Sequence, residues 1–471
     1  MNPELTISLR TERGESLLHG LELLRQSWRD FDVARGHQPP ISPRTVDLTL
    51  GGLPQVGTGV TAALDAAAAV LDESLAQSRP RFFGYVGSSG LESAVLADAM
   101  AVSHDVNLAA ESGAAVLVEQ QALRWVGELV GYPARAGTFT SGGMLSNLTA
   151  LMAARTRALP ESRMHGTAGV RATVYASAEA HSSVERAVEI LGLGRESLRP
   201  IPIDDRRRMD VSELEAAIQR DRRQGRTPIA VVATAGTTLT GAVDPLCDVA
   251  DVSSVHGLWM HVDGAYGLPA ACSPATSDLF AGLERADSAS VDAHKWLFVP
   301  KACGVLMLRE PGPLRDAFVH DSAYMLDDEV DPHPVDSTLE YSRPFRALKL
   351  WVALMAHGAS AFASAITANV DLARQLQTLV SDHPRMEPLL DAPDLSIVPF
   401  RRLPSHGDID QHNLQLAKAL QMDGRVFVTS AIVDGRACLR PCIVNFRTTL
   451  SDVEELVLVA DEVGARLERN H

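Results

Sequence analysis

The middle of this 471-residue chain alternates short runs of apolar, β-branched residues with stretches of helical periodicity. This pattern predicts strands at 172–176, 199–203, 229–234, 258–262, 289–292 and 304–308, and helices at 182–193, 211–223 and 246–255. Apolar strands separated by helices predict a mainly parallel sheet that helices cover on both faces. In such sheets, ligand sites gather at the carboxyl ends of the strands.

The regions before and after this core have simpler patterns. Helices with one apolar face are predicted at 16–30 and 60–75, separated by a break at 51–54, and an amphipathic helix is predicted at 116–130. Beyond residue 344, a long helix, a segment at 395–402, helices at 410–422 and 451–467, and strands at 426–430 and 437–446 predict an α+β domain. We therefore divide the chain into an N-terminal arm with a loop (1–95), a large domain (96–343) and a small C-terminal domain (344–471).

Composition narrows the class of protein. Hydrophobic residues make up 46% of the chain, enough for a large core, and the formal charge of −16 argues against a nucleic-acid partner. Residues 1–18 are too polar for an export signal. No stretch approaches the run of roughly 18 apolar residues that spans a bilayer, the nearest being 62–71, so no membrane partner is expected. Five scattered cysteines fit a reducing cytoplasm, and no histidine lies near Cys438 and Cys442 to complete a zinc site.

The stretch 258–308 carries the candidate chemistry. An apolar strand ends at Asp263, and Lys295 follows a second predicted strand, beside the apolar pair Trp296 and Leu297. Such flanks predict a desolvated lysine, whose free amine attacks a carbonyl to form a Schiff base. A surface lysine at a strand end is the alternative that this stretch alone leaves open.

Neighbouring features point to pyridoxal phosphate, which needs a lysine for its aldehyde, a carboxylate for its ring nitrogen, a phosphate cradle and a flat group against its ring. Asp263 is the candidate carboxylate, and Ala265 is expected to lie under the ring. Gly142 and Gly143 open a predicted helix that runs to about residue 157, where backbone N–H groups and the helix dipole favour an anion. The candidate cradle comprises these glycines and their two neighbours, Ser141 and Met144.

Three motifs resemble those of one enzyme family. They are His-Val-Asp-Gly-Ala-Tyr at 261–266, Asp-Ala-His-Lys-Trp-Leu at 292–297 and Ala-His-Ser-Ser-Val-Glu-Arg-Ala at 180–187. Together they are similar to the group II amino-acid decarboxylases, which include the aromatic amino-acid and glutamate decarboxylases, and the resemblance runs from about residue 81 to the C-terminal end. It implies pyridoxal 5′-phosphate as the cofactor, an α/β fold of type I (aspartate aminotransferase-like), and a homodimer with shared active sites in which the arm packs across the partner.

The resemblance also assigns roles to single residues. His181 would stack on the face of the cofactor ring, and Thr238 would hydrogen-bond near the ring hydroxyl or the substrate carboxylate, with Thr237 as the alternative. His294 would face the phosphate or the substrate, and Asp292 belongs to the same cofactor-binding motif. A purely structural histidine is the alternative for both His181 and His294.

A lid is predicted at about 320–343, where the periodicity vanishes and Asp and Pro are frequent. Within it, Tyr324 matches the position where the family carries a tyrosine, contributed across the dimer, that returns a proton to the substrate carbon. A phenol is a reasonable proton donor to a carbanion. The alternative is a tyrosine that only packs.

The loop at 81–90 is the predicted substrate side, and its candidate substrate contacts are Phe83, Tyr85 and Val86. The decarboxylases of aromatic amino acids resemble this loop through Phe82, Phe83 and Tyr85. They carry a further aromatic residue and a proline, however, where this chain has Val86 and Gly87. The loop therefore does not identify an aromatic substrate, and a buried hydrophobic turn is the alternative.

These features predict α-decarboxylation of an L-amino acid, or of an amino-acid conjugate, to the amine and carbon dioxide. The predicted catalytic residues are Lys295, Asp263, His181 and Tyr324. Some relatives couple decarboxylation to oxidative deamination and release an aldehyde, but they tend to lose the lid tyrosine or the stacking histidine, and both are present here. β-Elimination and transamination would use the same cofactor groups, and a catalytically inert scaffold is a possibility from a different class. The substrate is not identified, since no arginine is clearly placed for a second carboxylate.

Overall fold

The computed structural model describes residues 13–33, 41–109, 112–320 and 334–469. These residues form a large sheet of seven strands and a small sheet of four. The large sheet contains β1 (Ala136–Thr140), β2 (Ala172–Ser177), β3 (Leu198–Ile201), β4 (Thr227–Thr234), β5 (Trp259–Asp263), β6 (Ser288–Asp292) and β7 (Gly304–Leu308). The small sheet contains β8 (Met386–Pro388), β9 (Phe400–Arg402), β10 (Ser430–Val433) and β11 (Arg436–Leu439).

The α-helices fall into three groups along the chain. The N-terminal arm contains α1 (Arg13–Asp32), α2 (Pro43–Leu50) and α3 (Val60–Asp72). The large sheet is accompanied by α4 (Glu92–His104), α5 (Ala114–Val130), α6 (Gly143–Ala158), α7 (Ser162–His165), α8 (Ser182–Ile190), α9 (Val211–Arg223), α10 (Leu246–His256), α11 (Ala293–Trp296) and α12 (Gly312–Phe318). The remaining helices are α13 (Ala347–Asp382), α14 (Ile409–Asp423) and α15 (Leu450–Arg469).

The large sheet has the strand order β1-β7-β6-β5-β4-β2-β3. The neighbouring pairs from β3 to β6 are parallel, whereas β7 runs antiparallel to both β6 and β1. Helices α6, α8 and α12 pack on one face, and α5, α9 and α10 pack on the other. The prediction of a mainly parallel sheet covered on both faces is therefore confirmed. The carboxyl ends of its parallel strands meet at one edge.

Strand β1, at the margin of this sheet, was not predicted from the sequence. Its residues are a glycine, two threonines and only two apolar residues, so they lack the apolar run of a buried strand. The glycine is required by the pairing, because a Cβ atom at Gly137 would lie 2.1 Å from the carbonyl oxygen of Leu306 on β7. A residue that weakens the strand pattern thus permits the close approach of the two backbones.

The small sheet is antiparallel, with the order β10-β11-β9-β8, and α14 and α15 pack against it. Strands β10 and β11 form a hairpin whose turn residues, Asp434 and Gly435, both have positive φ angles, as a two-residue hairpin turn requires. The strands predicted at 426–430 and 437–446 are displaced and too long. The second prediction is too long because the chain leaves the sheet after β11. There the backbone N–H of Cys442 donates to the carbonyl of Phe83 at 2.9 Å.

Helix α13 bridges the two domains. Its first half packs against α4 and α5, and its second half packs against β8 and α15, with a change of direction at Gly358, where φ is 74°. By length and composition alone it could cross a membrane, and residues 350–370 carry no Asp, Glu, Lys or Arg. The expectation that no stretch approaches the length of a membrane span, with 62–71 the nearest, was therefore wrong. The predicted division of the chain at 344 falls immediately before this bridge.

The N-terminal arm consists of helices that pack mainly on one another. Helix α1 contacts α3, and His19 on α1 lies 2.7 Å from the carboxylate of Asp65 on α3. Several large apolar side chains of the arm are exposed, namely Leu17, Leu18, Leu50, Leu53, Val56 and Leu71. The apolar surface of the arm is therefore not covered by the described part of its own chain.

Candidate active site

One cavity of about 300 Å³ lies where the carboxyl ends of β4, β5 and β6 meet the N-terminal ends of α6 and α8. Every residue predicted to bind the cofactor lines it. These residues are Ser141, Gly142, Gly143, Met144, His181, Thr238, Asp263, Ala265, Asp292, His294 and Lys295. The cavity is also lined by residues that the sequence did not single out: Asn147, Ser183, Thr234, Gly236 and Tyr266. Widely separated motifs therefore meet around a single space.

Lys295 lies on the short helix α11, directly after β6. Its Nζ is 2.9 Å from Oδ2 of Asp292, and its side chain is 24% exposed. Most of the lysine side chain is therefore removed from solvent, and a carboxylate three residues earlier holds its amine at the cavity. Asp292 itself is buried, and its Oδ1 has no hydrogen-bond partner in the described part of the chain. A buried carboxylate oxygen without a partner is typical of a site that a ligand completes.

Asp263 ends β5 and is 6% exposed. Its Oδ2 accepts a hydrogen bond from Nδ2 of Asn147 at 2.8 Å, and its Oδ1 accepts one from the backbone N–H of Ala265 at 3.2 Å. No described cation lies within ion-pair distance of this carboxylate. A protonated ring nitrogen would supply the missing positive charge.

The start of α6 leaves room for an anion because it begins with two glycines. A Cβ atom at Gly143 would lie 2.8 Å from Cβ of Ala265, and one at Gly142 would lie 3.2 Å from Cε1 of His294. Within the first turn the N–H of Leu145 already donates to the carbonyl of Gly142 at 2.9 Å, whereas the N–H groups before it precede the helical hydrogen-bond pattern and are available to an anion. The helix dipole adds positive potential there. A phosphate group therefore fits at this end of the cavity.

The two histidines occupy different surroundings. His181 caps α8 by accepting a hydrogen bond from the backbone N–H of Ser183 at 3.2 Å, and the rest of its ring is exposed toward the cavity. The ring therefore fits both interpretations of His181, since it caps the helix as a structural histidine would and also offers a flat face to a cofactor ring. His294 is buried beside the backbone of Cys303, and burial lowers the pKa of its imidazole.

The two candidate threonines are separated by their burial. Thr238 lines the cavity, whereas Thr237 is fully buried, and its hydroxyl lies 3.1 Å from that of Thr240. Thr237 therefore stabilises the turn after β4. Of the pair, Thr238 is the residue that can reach a ligand.

The substrate loop departs from its prediction at one position. Phe83 is completely buried in the core of the small domain, so it cannot contact a substrate. Tyr85 is 55% exposed and holds a left-handed φ of 54°, and Val86 is half-buried. Neither lines the cavity within this chain. The alternative of a buried hydrophobic turn thus holds for Phe83, and the roles of Tyr85 and Val86 stay predictions.

Arg440 is a residue of this region that the sequence did not single out. It is 5% exposed, its Nη1 donates to the carbonyl of Tyr85 at 2.8 Å, and its Nε donates to that of Leu239 at 3.3 Å. Its Nη2 is buried and has no hydrogen-bond partner among the described residues. The only signal in the sequence is an arginine within an apolar strand pattern, which does not reveal its neighbours. Tyr324 and most of the predicted lid lie outside the described residues.

Comparison with known proteins agrees with this geometry. Residues 58–403 match the pyridoxal-dependent decarboxylase conserved domain. The chain is 33% identical over 400 residues to an aromatic-L-amino-acid decarboxylase of Bacillus atrophaeus, covering 82% of each chain. It is 33% identical over 434 residues to an L-2,4-diaminobutyrate decarboxylase of Rhizobium meliloti (strain 1021), covering 90% of this chain and 86% of the relative.

A solved structure with the same architecture is that of Oryza sativa TDC with PLP and tryptamine. It superimposes with a TM-score of 0.91 at 25% identity, over 98% of this chain and 99% of that chain. The chain belongs to the pyridoxal-dependent decarboxylases. It is a carboxy-lyase that uses pyridoxal 5′-phosphate to decarboxylate an amino acid. The predicted family, fold type, cofactor and reaction class are confirmed.

Proposed function

We propose that the 300 Å³ cavity is the decarboxylation site and that its lining residues have the roles predicted for them. The observation that carries this proposal is that Lys295 and Asp263, which are far apart in sequence, line the same cavity together with the glycine cradle. Lys295 would hold the aldehyde carbon, Asp263 the ring nitrogen, and Gly142 and Gly143 the phosphate. When bound, pyridoxal phosphate supplies a ring that accepts the electrons of the broken bond between Cα and the carboxylate.

The protein residues prepare and complete this reaction. Asp292 orients the amine of Lys295 through the 2.9 Å contact. His181 would cover one face of the bound ring, Ala265 would support the other, and Thr238 would hydrogen-bond at the ring hydroxyl or the substrate carboxylate; all three line the cavity. Tyr324, in the predicted lid, would donate the proton that replaces carbon dioxide on the substrate carbon, because a phenol is acidic enough to protonate a carbanion.

The substrate is an L-amino acid that enters beside Tyr85 and Arg440. The buried Nη2 of Arg440 lacks a hydrogen-bond partner among the described residues and so favours a negatively charged substrate group near this end. The substrates of the named relatives differ in their side chains, since one relative is named for aromatic amino acids and the other for 2,4-diaminobutyrate. Screening these amino acids and glutamate for release of carbon dioxide and amine tests the proposal. If peroxide forms in step with carbon dioxide, the reaction is oxidative deamination to an aldehyde and not simple decarboxylation.

The protein acts as a homodimer with shared active sites. The exposed apolar residues of the arm, such as Leu18 at 70% and Leu53 at 85% exposure, support this proposal because apolar patches of this kind mark interaction surfaces. Light scattering coupled to gel filtration should give twice the chain mass of 50.5 kDa. A Leu18→Glu variant should shift the protein toward the monomer and lower its activity. A fully active monomer would refute the shared site.

The enzyme works in the cytoplasm. All five cysteines are unpaired, and Cys303, Cys438 and Cys442 are buried, which suits a reducing compartment. Fractionation of cells that make the protein should place it with the cytoplasmic enzymes. Recovery in an extracellular fraction would contradict this location.

A further inference from the structure

A continuous series of hydrogen-bonded side chains beneath the cavity ends at Asp263. The indole N–H of Trp259 donates to Oγ of Ser288 at 2.9 Å, and this Oγ lies 2.8 Å from Nδ1 of His261. Nε2 of His261 lies 3.0 Å from Oδ1 of Asn147, whose Nδ2 donates to Oδ2 of Asp263 at 2.8 Å. The first four residues of the series are at most 1% exposed, so bulk water does not compete for these bonds.

The two ends of this series determine its direction. An indole N–H can only donate a hydrogen bond, and a carboxylate can only accept one. Asn147 must therefore turn its amide nitrogen to Asp263 and its oxygen to His261, which places the imidazole proton on Nε2. Nδ1 of His261 then accepts from the hydroxyl of Ser288. Burial also lowers the pKa of His261 to about 4, so the imidazole is neutral near pH 7, as this direction requires.

Asn147 is the junction between two parts of the cavity. Its amide nitrogen also donates to Oγ of Ser183 at 2.9 Å, and the backbone N–H of Ser183 donates to Nδ1 of His181. Its oxygen accepts a further bond from Ser290 at 3.3 Å. The amide therefore uses both of its hydrogens and both acceptor positions, and rotating it would break several bonds at once. One side chain thus fixes Asp263 relative to the helix start that carries His181.

We propose that Asn147 and His261 are positioning residues that hold the carboxylate of Asp263 in the orientation required by the ring nitrogen of the cofactor. This inference rests on the proposed role of Asp263 in cofactor binding. The loss of either residue would leave a buried polar partner unsatisfied, which costs more than the loss of an exposed contact. The effect should therefore be seen in cofactor binding as well as in activity.

The experiment compares two buried asparagines. Asn147→Leu keeps the side-chain shape and removes the amide bonds. Asn413→Leu does the same in the small domain, where Asn413 is fully buried and hydrogen-bonds to the backbone of Arg402 and Ile409. The dissociation constant of pyridoxal phosphate, the signal of ¹⁵N in its labelled ring and the thermal stability of the apoprotein are measured for both variants and for Asp263→Asn.

The Asn147→Leu variant should bind pyridoxal phosphate on the order of tenfold more weakly and should shift the ring ¹⁵N signal in the same direction as Asp263→Asn. Asn413→Leu should lower thermal stability and leave both cofactor measurements unchanged. If Asp263→Asn alters binding and signal while Asn147→Leu alters neither, the proposed role of Asp263 stands and the positioning inference fails. If Asp263→Asn changes nothing, the role of Asp263 fails first, and the inference with it.

A second comparison does not depend on the folding of the Asn147 variant. His261→Gln keeps an N–H group near the position of Nε2, whereas His261→Leu removes it, so the glutamine should restore most of the cofactor affinity that the leucine loses. Equal losses in the two variants would contradict the inference. In the unmodified protein, ¹⁵N-labelled histidine should show His261 protonated on Nε2, and protonation on Nδ1 alone would overturn the proposed direction.

Discussion

The cofactor end of the active site and the end proposed for the substrate are built differently. At the cofactor end, Asp263 and Asn147 lie at the carboxyl edge of one sheet, and their polar atoms are paired with one another. At the proposed substrate end, whose residues do not line the cavity within this chain, the loop at 81–90 meets the small domain and Tyr85 has a left-handed φ of 54°. The Nη2 of Arg440 has no hydrogen-bond partner there in the described part of the chain. At the cofactor end the carboxylate of Asp263 is held by its own chain, and the unpaired Oδ1 of Asp292 is left for a ligand, whereas at the substrate end it is a buried guanidinium that has an unpaired nitrogen.

This structural difference matches the difference between the cofactor, which the family members share, and the substrates, which distinguish them. The cofactor is common to the relatives, and a preorganised, buried network suits a ligand that does not change. Substrates differ between the relatives, and a strained, half-exposed loop with an unsatisfied arginine suits a surface that a substrate or a second subunit completes. Variants at the cofactor end should therefore alter cofactor binding, whereas variants at the substrate end should mainly alter KM.

The largest effect is expected at Lys295. Replacing it by alanine removes the amine that holds the cofactor aldehyde, and activity should fall on the order of 10⁴-fold. Borohydride reduction followed by peptide mass analysis should find the cofactor on Lys295 in the parent and on no residue of the variant. Lys301→Ala is the matched control, since Lys301 follows on the same segment and its Nζ donates to Oε1 of Gln77 instead. Cofactor found on Lys301 in the parent would contradict the assignment.

The next effect is expected at the substrate end, for Arg440→Met. Methionine keeps the apolar stem and removes the guanidinium, so kcat/KM should fall roughly ten- to a hundredfold, mainly through KM, while pyridoxal phosphate affinity is unchanged. Arg436→Met is the control, because Arg436 begins the strand that Arg440 follows, is half-buried and lies 3.1 Å from Glu387. A loss of cofactor affinity in Arg440→Met would remove the distinction between the two ends.

The residues of the cofactor end could also be predicted from the amino-acid sequence. Asp263 and Lys295 lie in short motifs at the ends of predicted strands, and Gly142 and Gly143 open a predicted helix, so local pattern and chemistry together identified them. The parallel strands and the helices α9 and α10 were predicted within two residues of their observed bounds, because the strands are short apolar runs and the helices lie in the more polar stretches between them. The local sequence pattern was enough to predict those contacts that follow from the order of the strands in the sheet.

The substrate end could not be described in this way because its contacts join distant segments. Phe83 belongs to the core of the small domain, which only the tertiary fold reveals. Arg440 reaches the backbone of Tyr85, 355 positions earlier in the chain. Asn147 was overlooked for the same reason, since its partners lie on β5 and α8. Long-range hydrogen bonds of polar residues leave no periodic signal in a single sequence.

A smaller effect is expected for Gly143→Ala at the cofactor end. The added methyl group would lie 2.8 Å from Cβ of Ala265 and 3.1 Å from Oδ2 of Asp292, so either the helix start or the ring support must shift. Pyridoxal phosphate affinity should fall about tenfold, as expected for overpacking of a well-packed site. Gly52→Ala is the control, because an added Cβ there meets no atom within 4 Å. Equal affinities for the two variants would mean that the cradle tolerates a side chain.

The smallest effect concerns the acid stability of the cofactor end. Burial holds the pKa of His261 at about 4, below the value near 6.5 of the unfolded chain, so the unfolded state binds a proton that the folded state excludes. The contribution of His261 to the free energy of unfolding is therefore complete above pH 6.5 and is lost as the pH falls toward 4. At pH 5.5 the loss is about 1 kcal/mol. Asp244, whose pKa burial raises to about 6, acts in the opposite direction, because its stabilisation is lost as the pH rises through 6.

Comparing apoprotein stabilities of the parent and His261→Gln between pH 7 and 5.5 isolates the histidine, since Asp244 contributes equally to both. The parent should lose about 1 kcal/mol more than the variant over this range, measured by chemical unfolding. A histidine of the exposed arm, His19, offers a control variant, His19→Gln, that removes one imidazole without touching the buried series. Parallel pH profiles for the parent and His261→Gln would mean that the folded cofactor end accepts a proton as easily as the unfolded chain, and its rigidity would then not extend to His261.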